Sequence, residues 1–451
     1  MRALRAGICA LIAFAVLALG GVEPSGQAVL EIGAAALFVW WAILAIRRRQ
    51  VEIHGNWLYL PLVGLGLFAM VQYVAGMSVY PYVTKIELLE WAACLLLFFL
   101  TVESFCTVAL AKQLIWFLVA LGFVVSLFGI VQHFTSNGRL YWSIPLAAGG
   151  SPFGPYVNRD DFAGFVELVA PLGLALLFFR ACRREHVALL FLFTIVPLGA
   201  AILSASRGGI IGLVLEFVLV LFLSRVRRMG KRQVLIATAL TLVAGAFVVW
   251  LGVSEAIQRF EQLTPEESSY NLRLSLYRDT WRIFVHHPWF GTGLGTLRTV
   301  YPRYATFYLP GVIVNHAHND YLELLAEMGV VGGLCGLAFI GLLVRQGLRN
   351  LQAAETPLGR AIVAGSLVAC MGLLLHSLVD FNLHIPANAL IFVLLACLGT
   401  AEFRPPAEVR TLASHEADAM PNQTWASEPP MIRTEAKPGS NHAAKLLIPG
   451  R

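Results

Sequence analysis

Apolar residues in this chain come in long runs separated by short polar breaks. Leu58–Ala75, Leu88–Leu100, Leu114–Val131, Val187–Leu203, Ile210–Leu223 and Val234–Val253 are six of them. A helix rising about 1.5 Å per residue needs about 20 such residues to cross a hydrocarbon core about 30 Å thick. The strict alternation that marks barrel strands is missing, so the pattern predicts an all-α integral membrane protein. Basic residues recur at every second break: Arg2 and Arg5; Arg47 to Arg49; Lys112; Arg180, Arg183 and Arg184; Arg225 to Arg232; Arg345 to Arg360; and Arg404. Positive charge collects on cytoplasmic loops, so this rhythm predicts about twelve spans with the C-terminus in the cytoplasm.

Three polar stretches are longer than connectors. The first, from His133, ends in Asn158-Arg159-Asp160-Asp161 at a helix mouth, where either aspartate can cap the first turn or line a site. The second runs from about Ser254 to Asn315. Within it Tyr270–Val285 has helical spacing, with Leu272, Leu276, Thr280 and Phe284 on one face and Arg278 and Arg282 paired at i, i+4, which predicts an amphipathic helix on the outer leaflet. Gly291-Thr-Gly293-Leu-Gly295 reads as a turn, since no strand precedes it as a dinucleotide site requires. The third, from Phe403, is proline-dotted without periodicity and is expected to be a disordered cytoplasmic tail. The chain thus divides into N-terminal scaffold helices (1–112), spans that include a Ser-Arg-Gly-Gly turn (113–253), a large outer loop (254–318), C-terminal spans (319–402) and the tail (403–451).

Composition agrees, with 58% hydrophobic residues and 13% charged, about half the charged fraction of a soluble domain. The net charge of +6 is spent on loop topology, so it does not signal nucleic acid. Met1-Arg-Ala-Leu-Arg5 and the following apolar run imitate a secretory signal and are read as an uncleaved first span. The seven cysteines include no CxxC pair, which indicates neither a disulfide framework nor a zinc site. Glu87 and Glu90 are expected to be solvated at the outer interface.

Candidate chemistry concentrates on the outer face. In Leu203-Ser204-Ala205-Ser206-Arg207-Gly208-Gly209 two spans meet at once; the glycines are expected to make the reversal and to hold Arg207 at the surface. His316-Ala317-His318-Asn319-Asp320-Tyr321-Leu322-Glu323 opens a very apolar helix, and ionisable groups there are costly enough to imply function. His316 is expected to bond Asp320, leaving His318 free to act. Neither histidine has a third ligand of recognisable spacing, so no metal is expected. Gly329, Gly332, Gly333 and Gly336 permit close helix packing. His376 and Asp380 share a helical face. Arginines near the outer leaflet suit a diphosphate, and a histidine suits deprotonation of a hydroxyl.

Together, Leu-Ser-Ala-Ser-Arg207-Gly-Gly, Arg273-Leu-Ser-Leu-Tyr277, His-Pro-Trp-Phe-Gly-Thr-Gly, and His318-Asn319 followed by nine residues, Gly329, two residues and Gly332 resemble the O-antigen ligase and polymerase superfamily. Tyr277 departs from the pattern, where a tryptophan is commoner. The resemblance spans about Gly150 to Ala401. It implies a GT-C-type membrane glycosyltransferase without metal or cofactor, multi-pass in the bacterial inner membrane, with its site on the periplasmic face. Its donor would be an undecaprenyl-diphosphate-linked glycan, and its acceptor a glycan or lipid A core. His318 would be the base, Arg207 and Arg273 would bind the diphosphate, and Arg278, Asp380, His316 and Asn319 would support substrate binding. A secondary transporter of an anionic solute is the competing class, but its site would lie near the midplane with internal repeats.

Overall fold

The structure is a computed structural model that describes residues 1–48, 53–145, 151–225, 268–306 and 313–403. The expected span at 234–253, the first part of the large outer loop and the tail from 404 onward lie outside the described residues. Residues Met1–Arg404 form one compact unit. Among the described residues there is no strand, only the isolated bridges Leu140 to Ile144 and Phe153 to Tyr156. The helices are α1 (Arg2–Leu17), α2 (Pro24–Arg48), α3 (Tyr59–Val74), α4 (Pro81–Ser104), α5 (Val108–Thr135), α6 (Arg159–Phe178), α7 (Val187–Leu203), α8 (Arg207–Arg225), α9 (Ser268–His286), α10 (Leu297–Val300), α11 (Asp320–Ala353), α12 (Pro357–His376) and α13 (Pro386–Thr400). Seven are long and apolar enough to cross a membrane, and α3 and α13 are shorter apolar helices. The all-α membrane class stands.

Helix α6 is the axis, buried from Asp161 to Phe178 and packed against α5, α7, α8, α12 and α13. Its start is fixed by Asn158, whose side-chain oxygen accepts the Asp160 N–H at 3.1 Å. Asn158, not either aspartate, is therefore the cap, and its amide also donates to Asp161 at 3.3 Å. Outer helices such as α2 leave most of their apolar residues exposed. Lipid is as apolar as leucine, so close packing and polar contacts, rather than escape from water, hold such helices together.

Two turns differ from the sequence reading. The reversal between α7 and α8 is made by Ser204-Ala205-Ser206, with Ala205 at φ 54°. Gly208 and Gly209 lie in the first turn of α8, where a Cβ would strike the His376 ring and Ala163 respectively. Their smallness serves helix contact. In α11, Gly329 at φ 60° and ψ −159° breaks the helix. A Cβ there would meet the backbone of Trp289 and Phe290, and the next residue, Val330, donates its N–H to the Pro288 carbonyl at 2.8 Å. Only glycine takes that conformation so close to another backbone. The remaining glycines of the stripe, Gly332, Gly333 and Gly336, face Met328, Leu325 and Leu324 of the same element rather than a neighbouring helix.

The glycine-rich turn behaves as read. Thr292 and Gly293 donate to the carbonyls of Ala326 and Glu327 at 3.1 and 2.9 Å, and the Glu327 carboxylate accepts from Gly295 and Leu297 at 2.8 Å each. Helix α9 buries Leu276, Asp279, Thr280 and Ile283. Asp279 accepts from Thr306 and from the Tyr301 hydroxyl, and lies 4.0 Å from Arg282.

Candidate functional site

The site forms where the non-helical lead into α11 meets the turn between α12 and α13. Asn319 caps α11 by accepting the Leu322 N–H at 2.9 Å, and its amide donates to the Leu378 carbonyl at 2.8 Å. The Asp320 N–H donates to Ser377 at 3.0 Å. These bonds tie residues 316–323 to residues 377–384, and His318, at φ 51°, is thereby turned onto Asp380.

His318 Nδ1 lies 3.1 Å from Asp380 Oδ1. With Nδ1–H given to the carboxylate, Nε2 is the basic nitrogen. Phe381 packs edge-on against the ring at 4.8 Å, and the Tyr277 hydroxyl donates to the His318 carbonyl at 2.8 Å. The His318 side chain is 32% exposed and that of Asp380 only 3%, so a buried carboxylate orients an accessible imidazole. Burial opposes ionisation of Asp380, but the His318 hydrogen bond and the charges of His376, His318 and Arg273 prevail and hold its carboxyl below the usual range. Behind Asp380, His376 Nε2 stands 3.9 Å from Oδ2, and its Nδ1 bonds Glu167 at 2.8 Å.

The arginines separate. Arg273 is half-buried one turn before Tyr277, and its charge acts on both Asp380 and Tyr277. Arg207 is half-buried at the start of α8, next to the Gly208 that seats His376. Arg278 is exposed. His316 does not bond Asp320: its Nδ1 is 2.9 Å from Glu323, and it stacks on Phe381 at 4.6 Å. The expected i, i+4 contact fails because the chain at 316 is not helical, with α11 beginning only at Asp320.

Asp320 is taken instead by His384, at 2.8 Å. His384 Nε2 also lies 3.5 Å from Glu323, so His316, Glu323 and His384 bring three donor atoms within 4.8 Å of one another. This is the third ligand that spacing did not reveal, since His384 comes from another turn. Each of the three already has a hydrogen-bonding partner within this cluster or in Asp320. Burial disfavours the His384 cation, but Glu323, Asp320 and Glu327 hold it protonated well above the usual histidine range. A raised folded pKa stabilises fully below the unfolded value of about 6.5 and is lost as pH rises through the folded one. The melting-temperature deficit of His384→Gln should therefore be largest near about pH 6 and shrink in alkaline buffer. A deficit independent of pH would contradict this pairing.

His316, His318 and His384 line a cavity of about 850 Å³ between α4, α11 and α13. Glu87 and Glu90 also line it, so α4 is a wall of the site rather than remote scaffold. Sequence reasoning missed Glu167 and understated Glu87, although a carboxylate inside an apolar helix was a readable signal in both.

An all-helical membrane body carrying a histidine–carboxylate pair beside arginines is the class defined so far. A family model described as O-antigen ligase matches residues 189–337, so the chain is similar to that family over this segment. That segment contains Arg207, Arg273, His316, His318 and Asn319, whereas His376, Asp380 and His384 lie beyond it. None of the curated proteins compared with the chain matches it.

Proposed function

We propose that this protein transfers a glycan from an undecaprenyl-diphosphate carrier to an acceptor hydroxyl on the periplasmic face of the bacterial inner membrane. The observation that carries this reading is the His318–Asp380 pair, 62 residues apart in the chain and 3.1 Å apart in space, beside the charge of Arg273. The acceptor oxygen attacks the anomeric carbon of the donor and its proton passes to His318 Nε2. The bond from that carbon to the diphosphate breaks, and its electron pair leaves with the diphosphate. Asp380 keeps Nδ1 protonated and stabilises the imidazolium that forms. Arg207 and Arg273 bind the diphosphate and neutralise its developing charge, the part a divalent cation plays in other transferases. Asn319 and His316 hold the loop that presents His318.

Arg207→Ala and Arg273→Ala are each expected to lower transfer by about 10²–10³-fold, the effect of removing one donor to a developing anion. Arg278→Ala should leave the rate within about twofold, the ordinary outcome of a surface change. The check is transfer from a lipid-diphosphate glycan by purified protein, run with and without chelator. The chelator should change nothing. A rate abolished by chelator and restored by one divalent ion would transfer the role of the arginines to a metal at His316, Glu323 and His384.

A further inference from the structure

His316, Glu323 and His384 reach one point from three parts of the chain: the lead into α11, the first turn of α11 and the turn before α13. Glu323 Oε1 lies 2.9 Å from His316 Nδ1 and 3.5 Å from His384 Nε2, and the three donor atoms are within 4.8 Å of one another. An ion held tetrahedrally by bonds of about 2.0–2.1 Å sets its donors about 3.3–3.4 Å apart. The two spacings to Glu323 bracket that distance.

The surrounding bonds aim these donors as a metal requires. With Nδ1–H given to Asp320 Oδ1 at 2.8 Å, His384 turns its Nε2 toward Glu323, the carboxylate–histidine arrangement that orients metal-binding imidazoles. Asp320 is itself held by the Leu383 N–H at 3.2 Å. Glu323 Oε2 accepts the Ala317 N–H at 2.8 Å, which leaves Oε1 for an ion. Both imidazoles line the cavity of about 850 Å³, so an ion has a way in. Glu87 of α4 lines it too and interacts electrostatically with His384, His316 and Glu323.

We propose that His316, Glu323 and His384 form a binding site for a zinc-class divalent ion, with Glu87 or a water in the fourth position. Two imidazoles and a carboxylate suit zinc, whereas magnesium and calcium prefer oxygen throughout. Binding takes the lone pairs of His316 Nδ1 and His384 Nε2, so any proton these atoms hold against Glu323 leaves to solvent. The ion ties the lead into α11 to the turn before α13. His318 shares the Phe381 ring with His316, which stacks on it at 4.6 Å while His318 meets it edge-on at 4.8 Å. A dication there lowers the basicity of His318, so filling the site slows transfer. That consequence rests on the transfer reading above; the site itself does not.

Cobalt is the probe, because it enters zinc sites and absorbs visibly. The full chain without an affinity tag, stripped with chelator and held in lipid nanodiscs, is titrated with Co²⁺. It should develop the strong visible band of a tetrahedral ion, saturating at about one ion per chain, and Zn²⁺ should displace it. Zn²⁺ at about a hundredfold excess over its dissociation constant should raise the melting temperature by about 2 °C or more, and Mg²⁺ should not. His316→Ala and His384→Gln, made separately so that one poorly folding variant does not decide the matter, should each lose the band. His287→Gln, which alters a histidine outside the site, should keep it.

A native chain without the band, or a band that survives both ligand variants or disappears in His287→Gln, marks an adventitious ion only and overturns the site. Transfer measured alongside should fall as the band grows and return in chelator. A filled site with transfer unchanged or raised overturns the slowing alone. A filled site in a protein that transfers from no lipid-diphosphate donor overturns the transfer reading alone.

Discussion

Replacing His318 by alanine is expected to lower glycan transfer by about 10²–10⁴-fold, the range for loss of a general base. The loss should fall on kcat, because the proton moves in the transition state and the ring contributes little to holding either substrate. Membrane insertion should be unchanged, since the side chain is 32% exposed and Asp380 keeps His376 and Arg273 as neighbouring charges. Asp380→Asn should give a smaller but substantial loss. The amide cannot stabilise the imidazolium, and it can donate as well as accept, so the ring's tautomer is no longer fixed. Initial rates with a defined lipid-diphosphate donor measure both, and a His318→Ala protein turning over at the normal rate would refute His318 as base.

The second large effect is on stability. His376 and Glu167 are 1% and 0% exposed and bonded at 2.8 Å, and Glu167 Oε1 has no further partner among the described residues. His376→Leu leaves that carboxylate buried without its cation, and such a break costs about 3–5 kcal/mol. The double variant Glu167→Leu/His376→Leu removes both charges and should recover a large part of the loss. Reversible unfolding of the purified protein closes this cycle. A double variant no more stable than His376→Leu would mean that the imidazole supports the fold by shape, seated as it is against Gly208, rather than by charge.

Some of the site was readable because its signals are local. Asn319 is a capping residue directly before an apolar period, and it caps α11. His376 and Asp380 were four residues apart on one face, and they approach to 3.9 Å. The spacing from His318 to Gly329 also has a local cause, a helix broken by a glycine at φ 60°. Other expectations failed where the signal was not local. Spacing made Asp320 the partner of His316, but the helix starts too late for that contact and Glu323 takes it. Two glycines looked like a reversal, but Ala205 makes the turn and the glycines admit His376 and Ala163. Arg278, expected only to support substrate binding, is exposed on α9, whereas Arg273 is half-buried.

Hydropathy and the 3.6-residue period are properties of consecutive residues, so the sequence alone determined the helical membrane class, the ends of individual helices and the stretch that carries His318. Pairing across helices depends on how far each is rotated and how deep it sits, and packing around the fully buried α6 sets both. Only the tertiary structure could therefore bring Glu167 to His376 across 209 residues, Asp380 to His318 across 62 and His384 to Asp320 across 64. Those contacts gather ionisable groups scattered along the chain around one turn, with His318 held on Asp380.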